Sequence, residues 1–393
     1  MSYLQQFLML DELLHATKPY WHRVAFNEPD IPWAVLRAPL LALSDEQLAA
    51  LEASPCALLE WLKPHITELN TLSRLTILPQ RQPSAAALPF WLENGIKGRK
   101  LAQLKAFSSA LGKVSGRYLE WCAGKGHLGR ILAFQGAQQV TALELQQSLC
   151  DEGATVATRQ QLAMQFHRCD VLQDNVSEYF QATDHAVALH ACGRLHQVFL
   201  REGVAAGCQK LSLSPCCYHL YTTEPYEALS EPAQSSKLRL THHDIKLALQ
   251  ETVTAPGRLA AVRYKEISWR LGFDQLRAEL SGEPHYVSVP SVGKQIFSGT
   301  FSAFCQWAAA QKGLSLPATL DYAHYQQQGE RRMKITERIE LVRHAFRRAL
   351  EIWLVLDRVL YLQAAGYDVA MFEFCDKALT PRNILIEGVL TKR

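Results

Sequence analysis

The residues able to do chemistry fall in four short stretches. "EWCAGKGHLGR" (120–130) sets Gly124, Gly126 and Gly129 at G-x-G-x-x-G spacing, with Glu120 four positions ahead of the first. Such a turn needs backbone angles that most side chains resist, and it lets a cofactor come close to the chain. Glu144 lies twenty positions after Gly124, where a carboxylate can accept hydrogen bonds from both hydroxyls of a ribose. A dinucleotide and a nucleoside sulfonium are both served by this arrangement, so the glycines alone leave NAD and S-adenosylmethionine open.

Three features separate the two. Glu120 sits inside the strand, where a dinucleotide site keeps an apolar residue under the pyrophosphate; a carboxylate there repels phosphate and suits the cationic end of S-adenosylmethionine. Its competing role is a structural carboxylate that caps the turn. Asp170, at the end of the third strand of the same rhythm, is placed to meet an adenine amino group. The third feature is a hairpin at residues 367–393, "YDVAMFEFCDKALTPRNILIEGVLTKR", with its turn at Thr380-Pro381-Arg382-Asn383. Together these favour S-adenosylmethionine, with Glu120, Cys122, Ala123, Gly124, Gly126, Glu144 and Asp170 as its contacts. Cys122 stands where the general acid-x-Gly-x-Gly-x-Gly pattern has its first glycine, so the backbone angle there is expected to suit a side chain.

"LSLSPCCYHLY" (211–221) ends a strand at the carboxyl edge of the sheet, where α/β enzymes place their chemistry. Pro215 stiffens the exit, and Cys216, Cys217, Tyr218 and His219 are expected to line the acceptor pocket. His219 suits the removal of a proton, with an ordinary imidazole pKa near 6.5, and Tyr218 suits stacking on a flat substrate. His190, in "LHACG" at the neighbouring strand end, faces the same cleft and joins the cofactor contacts. A Pro-Cys pair also fits the thiolate attack of cytosine-5 RNA methyltransferases, although their surrounding signature is missing. Cys192, Cys216, Cys217, His190 and His219 could hold a metal, but no Cys-x-x-Cys pair supports it and adjacent cysteines ligate one ion poorly, so none is expected. Cys122, Cys150, Cys169 and Cys208 read as small buried apolar side chains.

The elements that must position these residues follow from periodicity. From residue 117, short strands ("RYLEWCAG", "QVTALEL", "MQFHRCD", "HAVALHACG", "KLSLSPCCYH") alternate with helical patterns, which implies βαβ units and a parallel sheet. Residues 1–93 read as a helical N-terminal region broken at "FNEPDIPW" and "PQRQPSAAALP". Residues 94–220 form the first part of the core, 221–330 an insertion over the cleft, and 331–393 its last part: one long helix (331–366) and the hairpin. The fold class is α/β, a seven-stranded Rossmann-like sheet with an insertion between strand 5 and the last long helix. The 393 residues carry a net charge of +3, 48% hydrophobic and 20% charged residues, and ten scattered cysteines. This composition fits a reduced, cytoplasmic protein with neither a leader nor a membrane span.

"EWCAGKGHLGR", "ALHACGRL", "LSPCCYH" and "TPRNILI" together resemble the methyltransferase domain of eukaryotic methyltransferase-like proteins and of the glutathione-S-transferase C-terminal-domain-containing protein. The resemblance covers residues 94–220 and 331–393 and is that of a bacterial member. It implies an S-adenosylmethionine-dependent methyltransferase. Related enzymes acting on tRNA share a Cys-Cys-aromatic-or-His stretch, which points to an RNA acceptor, tRNA or rRNA. Basic clusters at Lys97, Arg99, Lys100 and at Arg331, Arg332, Lys334, Arg343, Arg347, Arg348 could hold its phosphates. Protein or small-molecule acceptors stay open, as does a non-catalytic binding protein of the same fold.

Overall fold

The computed structural model describes residues 1–81, 87–250 and 257–391; the break expected over 79–89 lies partly outside them. In chain order, α1 (Tyr3–Ala16) and α2 (Gly98–Ala110) lead into β1 (Arg117–Trp121), α3 (His127–Gln135), β2 (Gln139–Glu144), α4 (Gln147–Arg159) and β3 (Met164–Arg168). They are followed by β4 (His185–Cys192), α5 (Arg194–Ala205) and β5 (Lys210–Cys216). After shorter helical pieces come three longer helices, α6 (Gly257–Ser281), α7 (Phe301–Lys312) and α8 (Tyr322–His344), and then α9 (Arg347–Ala364), β6 (Tyr367–Glu373) and β7 (Ile384–Leu390).

The strands form one seven-stranded sheet in the order β3-β2-β1-β4-β5-β7-β6, parallel except for β7, which runs antiparallel to both neighbours. This is a Rossmann-like methyltransferase sheet. Its central strands are largely buried, as a sheet covered by helices requires. Tyr118, Leu119 and Trp121 in β1, Ala186, Val187 and Ala188 in β4, and Leu211 and Leu213 in β5 are all buried. Pro215, which cannot donate to a ladder, falls beyond the last β5–β7 pair at Leu213–Ile386 and so breaks no pairing there. On one face, Phe107 and Leu104 of α2, Ile131 and Leu132 of α3, and Phe374 and Leu385 of the hairpin close a common core.

The domain boundaries differ from those expected. The chain divides into a sheet unit (Met1–Ala16, Leu72–Leu249, Arg348–Arg393) and a second unit (Thr17–Thr71, Gln250–Arg347). The N-terminal region is therefore shared between the two, and residues 221–249 belong with the sheet rather than with an insertion. The helix expected over 331–366 is two helices, parted at Ala345 and Phe346. Its apolar periodicity runs through the break and hides it. The second unit has its own core of Trp269, Phe273, Phe297, Phe301 and Phe304. It also absorbs most of the basic residues of α8. Arg332 donates to Asp274 (2.8 Å) and to the carbonyl of Phe26 (2.8 Å), Arg338 to the carbonyls of Leu40 and Leu43, and the fully buried Arg343 to that of Trp21 (3.0 Å). Among the described residues, no helix is long and apolar enough to cross a membrane.

Residues 221–249 are tied to the sheet unit by Asp357 of α9. Its carboxylate accepts the Leu229 N–H (3.0 Å), the Ser230 N–H (2.7 Å) and the Ser230 hydroxyl (2.9 Å), beside the equally buried Arg358. Removing the carboxylate orphans those donors and leaves a guanidinium buried without its counter-charge. Asp357→Ala is expected to lower stability by roughly 3–5 kcal/mol, the scale of a broken buried pair, as measured by urea unfolding.

Candidate functional site

The three central parallel strands end side by side, and each carries a non-glycine residue in left-handed backbone at or near its end. These are Cys122 after β1 (φ +54°), His190 near the end of β4 (φ +66°) and Cys217 after β5 (φ +43°). Each such residue costs on the order of 1–2 kcal/mol relative to glycine, and strain of this kind gathers at functional sites. The expectation for Cys122 was wrong: the turn keeps the glycine-like angle of the general pattern and imposes it on a side chain. Burial pushes the Cys122 thiol up to about 12, so it packs rather than reacts.

In the glycine turn, Glu144 at the end of β2 accepts the Gly124 N–H (2.9 Å) on one carboxylate oxygen and the Gln146 N–H (3.0 Å) on the other. Each oxygen has a second lone pair to offer a ribose hydroxyl. Gly124 has positive φ, and no atom lies within 4 Å of where its Cβ would stand, so the backbone is open to close approach. Ala123 continues the turn by donating to the Leu143 carbonyl (2.9 Å), and Gly126 donates to that of Ala123 (2.9 Å). Asp170 follows β3, where one oxygen accepts the Leu172 N–H (3.1 Å) and its own N–H donates to Asp174 (2.7 Å). The strand order thus brings the turn, Glu144 and Asp170 to one edge.

Glu120 is engaged inside the turn. Its side chain is buried and accepts the Gly129 N–H (2.9 Å), and a Cβ on Gly129 would lie 2.5 Å from the same oxygen. This is the capping role, and it explains the third glycine: that position must leave room for the carboxylate. Burial pushes the carboxyl up to about 8, against the opposing pull of the Gly129 N–H, Lys100 and Arg130. At neutral pH it is mostly uncharged and offers a cation little.

The "CCYH" turn is set by a close approach. Gly193 donates to the Cys216 carbonyl (3.0 Å), Arg194 donates to the Leu220 carbonyl (3.0 Å), and Leu220 donates back to Cys217 (2.9 Å). A Cβ on Gly193 would stand 1.8 Å from the Leu220 oxygen, so only glycine fits. Tyr218 is turned inward, which removes it from the expected substrate-stacking role. It is 1% exposed, Arg358 lies 5.1 Å from its ring centroid, and His196 meets it edge-on at 5.6 Å. His196 donates from Nδ1 to the Ala191 carbonyl (3.0 Å), which leaves Nε2 to accept from Arg358 (3.1 Å). His219 keeps partial exposure, with Nδ1 buried and without a partner, and burial with nearby Lys246 and His242 lowers its pKa below the usual imidazole range. His190 is in close contact with Gln103 through Nε2, and burial, Arg382 and Lys100 take it down to about 4.

The thiols of Cys192, Cys216 and Cys217 converge, all within 4.8 Å of one another, with Cys192 and Cys216 at 3.4 Å. The hydrogen bond from Cys216, with Cys217 and Arg382 nearby, lowers the Cys192 thiol to about 6, while Cys216 is pushed strongly up. The residues that sequence reasoning missed are Gln103, His196, Asp357, Arg358 and Arg382. Asp357-Arg358 did carry a signal, a charged pair inside the apolar run "WLVLDRVLYL".

Residues 100–224 match the description of a methyltransferase domain, a stretch that holds β1 to β5 and the "CCYH" turn. No curated protein matches the chain. Among solved structures, a Pyrococcus horikoshii protein provisionally named an RNA methyltransferase is similar at 16% identity over 37% of this chain and 67% of its own, TM-score 0.25. The bifunctional kinase-methyltransferase WbdD is similar at 20% identity over 37% and 34%, TM-score 0.21. A third, solved in work on conversion of a disulfide to a thioacetal in echinomycin biosynthesis, is similar at 19% identity over 28% and 46%, TM-score 0.25. The chain thus spans less than half the length of two of these three.

The buried carboxyl of Glu120 sets a pH dependence. It keeps its proton to about pH 8 in the folded chain but only through the ordinary carboxyl range when unfolded. Between those limits unfolding releases a proton, so stability falls as pH rises. Glu120→Gln retains an acceptor for Gly129 and removes the ionisation. Scanning calorimetry is expected to show the melting point of the variant gaining on that of the wild type from about pH 5 to about pH 8. A constant gap would mean that Glu120 is ionised in the folded state.

Proposed function

We propose that the sheet unit is an S-adenosylmethionine-dependent methyltransferase acting on RNA. The observation that carries the cofactor assignment is the edge itself: Glu144 holding the Gly124 N–H beside open backbone, with Asp170 on the next strand. These residues fit the group. Glu144 would take the ribose hydroxyls and Asp170 the adenine amino group, with Cys122, Ala123, Gly124, Gly126 and His190 completing the surround. When bound, S-adenosylmethionine supplies a methyl already activated on a sulfonium. The protein is left chiefly with alignment, which can contribute about 7–11 kcal/mol to a two-partner reaction.

His219 is assigned the acceptor's proton. Its lowered pKa keeps it unprotonated near neutrality, and its buried Nδ1 leaves Nε2 as the accessible base. Cys216 and Cys217 belong to the wall of the site, and no covalent step is assigned to them. RNA is favoured by the exposed cations ahead of the glycine turn, Lys97, Arg99 and Lys100, and by Arg382 near His190. The basic run on α8 does not support it, because Arg332, Arg338 and Arg343 are used inside the second unit. The likeness of "LHACG" and "PCCYH" to the eukaryotic methyltransferase-like group supports the same reading.

Calorimetry is expected to show S-adenosylhomocysteine binding, and Glu144→Ala to weaken it by roughly 1–3 kcal/mol, the scale of hydrogen bonds to a charged group. With a labelled methyl donor and whole-cell extract from a strain lacking the gene, the label should enter a ribonuclease-sensitive fraction and fall steeply with added salt. Label in protein, insensitive to ribonuclease, would move the acceptor to another class. NAD binding without S-adenosylhomocysteine binding would end the cofactor assignment.

A further inference from the structure

We infer that Cys192, Cys216 and Cys217 form a binding site for one thiophilic divalent cation, with Zn²⁺ the fitting ion. A plain strand would not gather these residues. Successive side chains of a strand point to opposite faces, so Cys216 and Cys217 should part company. They do not, because the left-handed backbone at Cys217 (φ +43°) turns its side chain back toward its neighbour. Cys192 reaches the same point from β4. It pairs with Cys216 across the sheet, after an irregularity between Leu189 and Cys192 that shifts the register. Two separate departures from regular strand geometry therefore meet on one cluster of three sulfurs.

The spacing suits a metal. Tetrahedral Zn²⁺ holds thiolates at about 2.3 Å, which places two sulfurs about 3.8 Å apart. The observed 3.4 Å between Cys192 and Cys216, and the 4.8 Å within which all three lie, bracket that value. Among the described residues this is the one group of three or more histidine, cysteine or acidic side chains with metal-ligating spacing. The other buried cysteines, Cys150, Cys169, Cys208 and Cys305, belong to no such group. Three protein ligands leave a fourth position for water or for an incoming group, the pattern of an open rather than a closed zinc site. The reason for expecting no metal, that adjacent cysteines ligate one ion poorly, holds for regular strand and fails at this turn. A bound ion would also remove both thiols of the Cys-Cys pair from nucleophilic chemistry.

The test uses the full chain, reduced and stripped of metal, titrated with Co²⁺ and then Zn²⁺. We expect one equivalent of Co²⁺ to bind, with thiolate-to-cobalt charge-transfer bands and the intense visible bands of a tetrahedral site, and Zn²⁺ to displace it. The band intensity counts the thiolates in the unmutated chain, so the result does not rest on a variant that might misfold. Cys192→Ser and Cys217→Ser should each lose the equivalent at unchanged circular dichroism, while the exposed Cys56→Ser keeps it. Failure of the reduced chain to take up either ion, or uptake that persists in Cys192→Ser, overturns the inference. S-adenosylhomocysteine calorimetry on the metal-free chain is a separate readout, so this result and the methyltransferase reading can fail independently.

Discussion

The buried pair Asp357–Arg358 is the interaction on which the sheet unit's chemistry-bearing edge depends. Taking two charges out of water costs several kcal/mol per ion, and their mutual attraction offsets this only when hydrogen bonds satisfy both groups. Here they do. Asp357 gathers the Leu229 and Ser230 N–H groups and the Ser230 hydroxyl, and Arg358 donates to His196 and to the carbonyl of Leu354. Arg358 also lies near the faces of Tyr218 and Tyr226. One helical step on α9 thus fixes the chain after β5, the start of α5 and the inward ring of the "CCYH" turn. Tyr218 is better understood as the anchor of that turn than as a surface for substrate.

A second constraint is the contact of Gly193 with Leu220. The hydrogen bonds on either side of it fasten the ends of β4 and β5 to one another beyond the point where the ladder stops. The two motifs "LHACG" and "PCCYH" are therefore one structural object. The glycine of the first exists to admit the backbone of the second.

Much of the sheet unit was legible in the sequence. Five parallel strands, their crossover helices and the terminal hairpin all follow from alternating periodicities and turn residues, which are local signals. The placing of Glu144 and Asp170 at the ends of neighbouring strands was legible for the same reason. What periodicity could not show was which neighbour a side chain meets. Glu120 read as a cofactor contact, with the cap as its competing role, and only the fold shows its carboxylate taking the Gly129 N–H. Tyr218 needed Arg358, which lies 140 positions along the chain. The break between α8 and α9 was hidden because the apolar stripe continues through it, and the split of residues 1–93 between two units is a long-range fact with no local marker. The basic residues of α8 read as a cluster that could hold phosphates, yet three of them are spent on carbonyls and a carboxylate of the second unit.

The three left-handed strand ends have a consequence for how this protein can change. At positions 122, 190 and 217 the backbone would favour glycine, yet the chain carries two thiols and an imidazole. Selection for heat resistance alone would drift toward glycine at all three, each step relieving a little backbone strain while emptying the sheet edge of its side chains. Stabilising this chain by design should therefore begin elsewhere, and a thermostable relative with glycines at these positions would be one in which the edge had already changed its task.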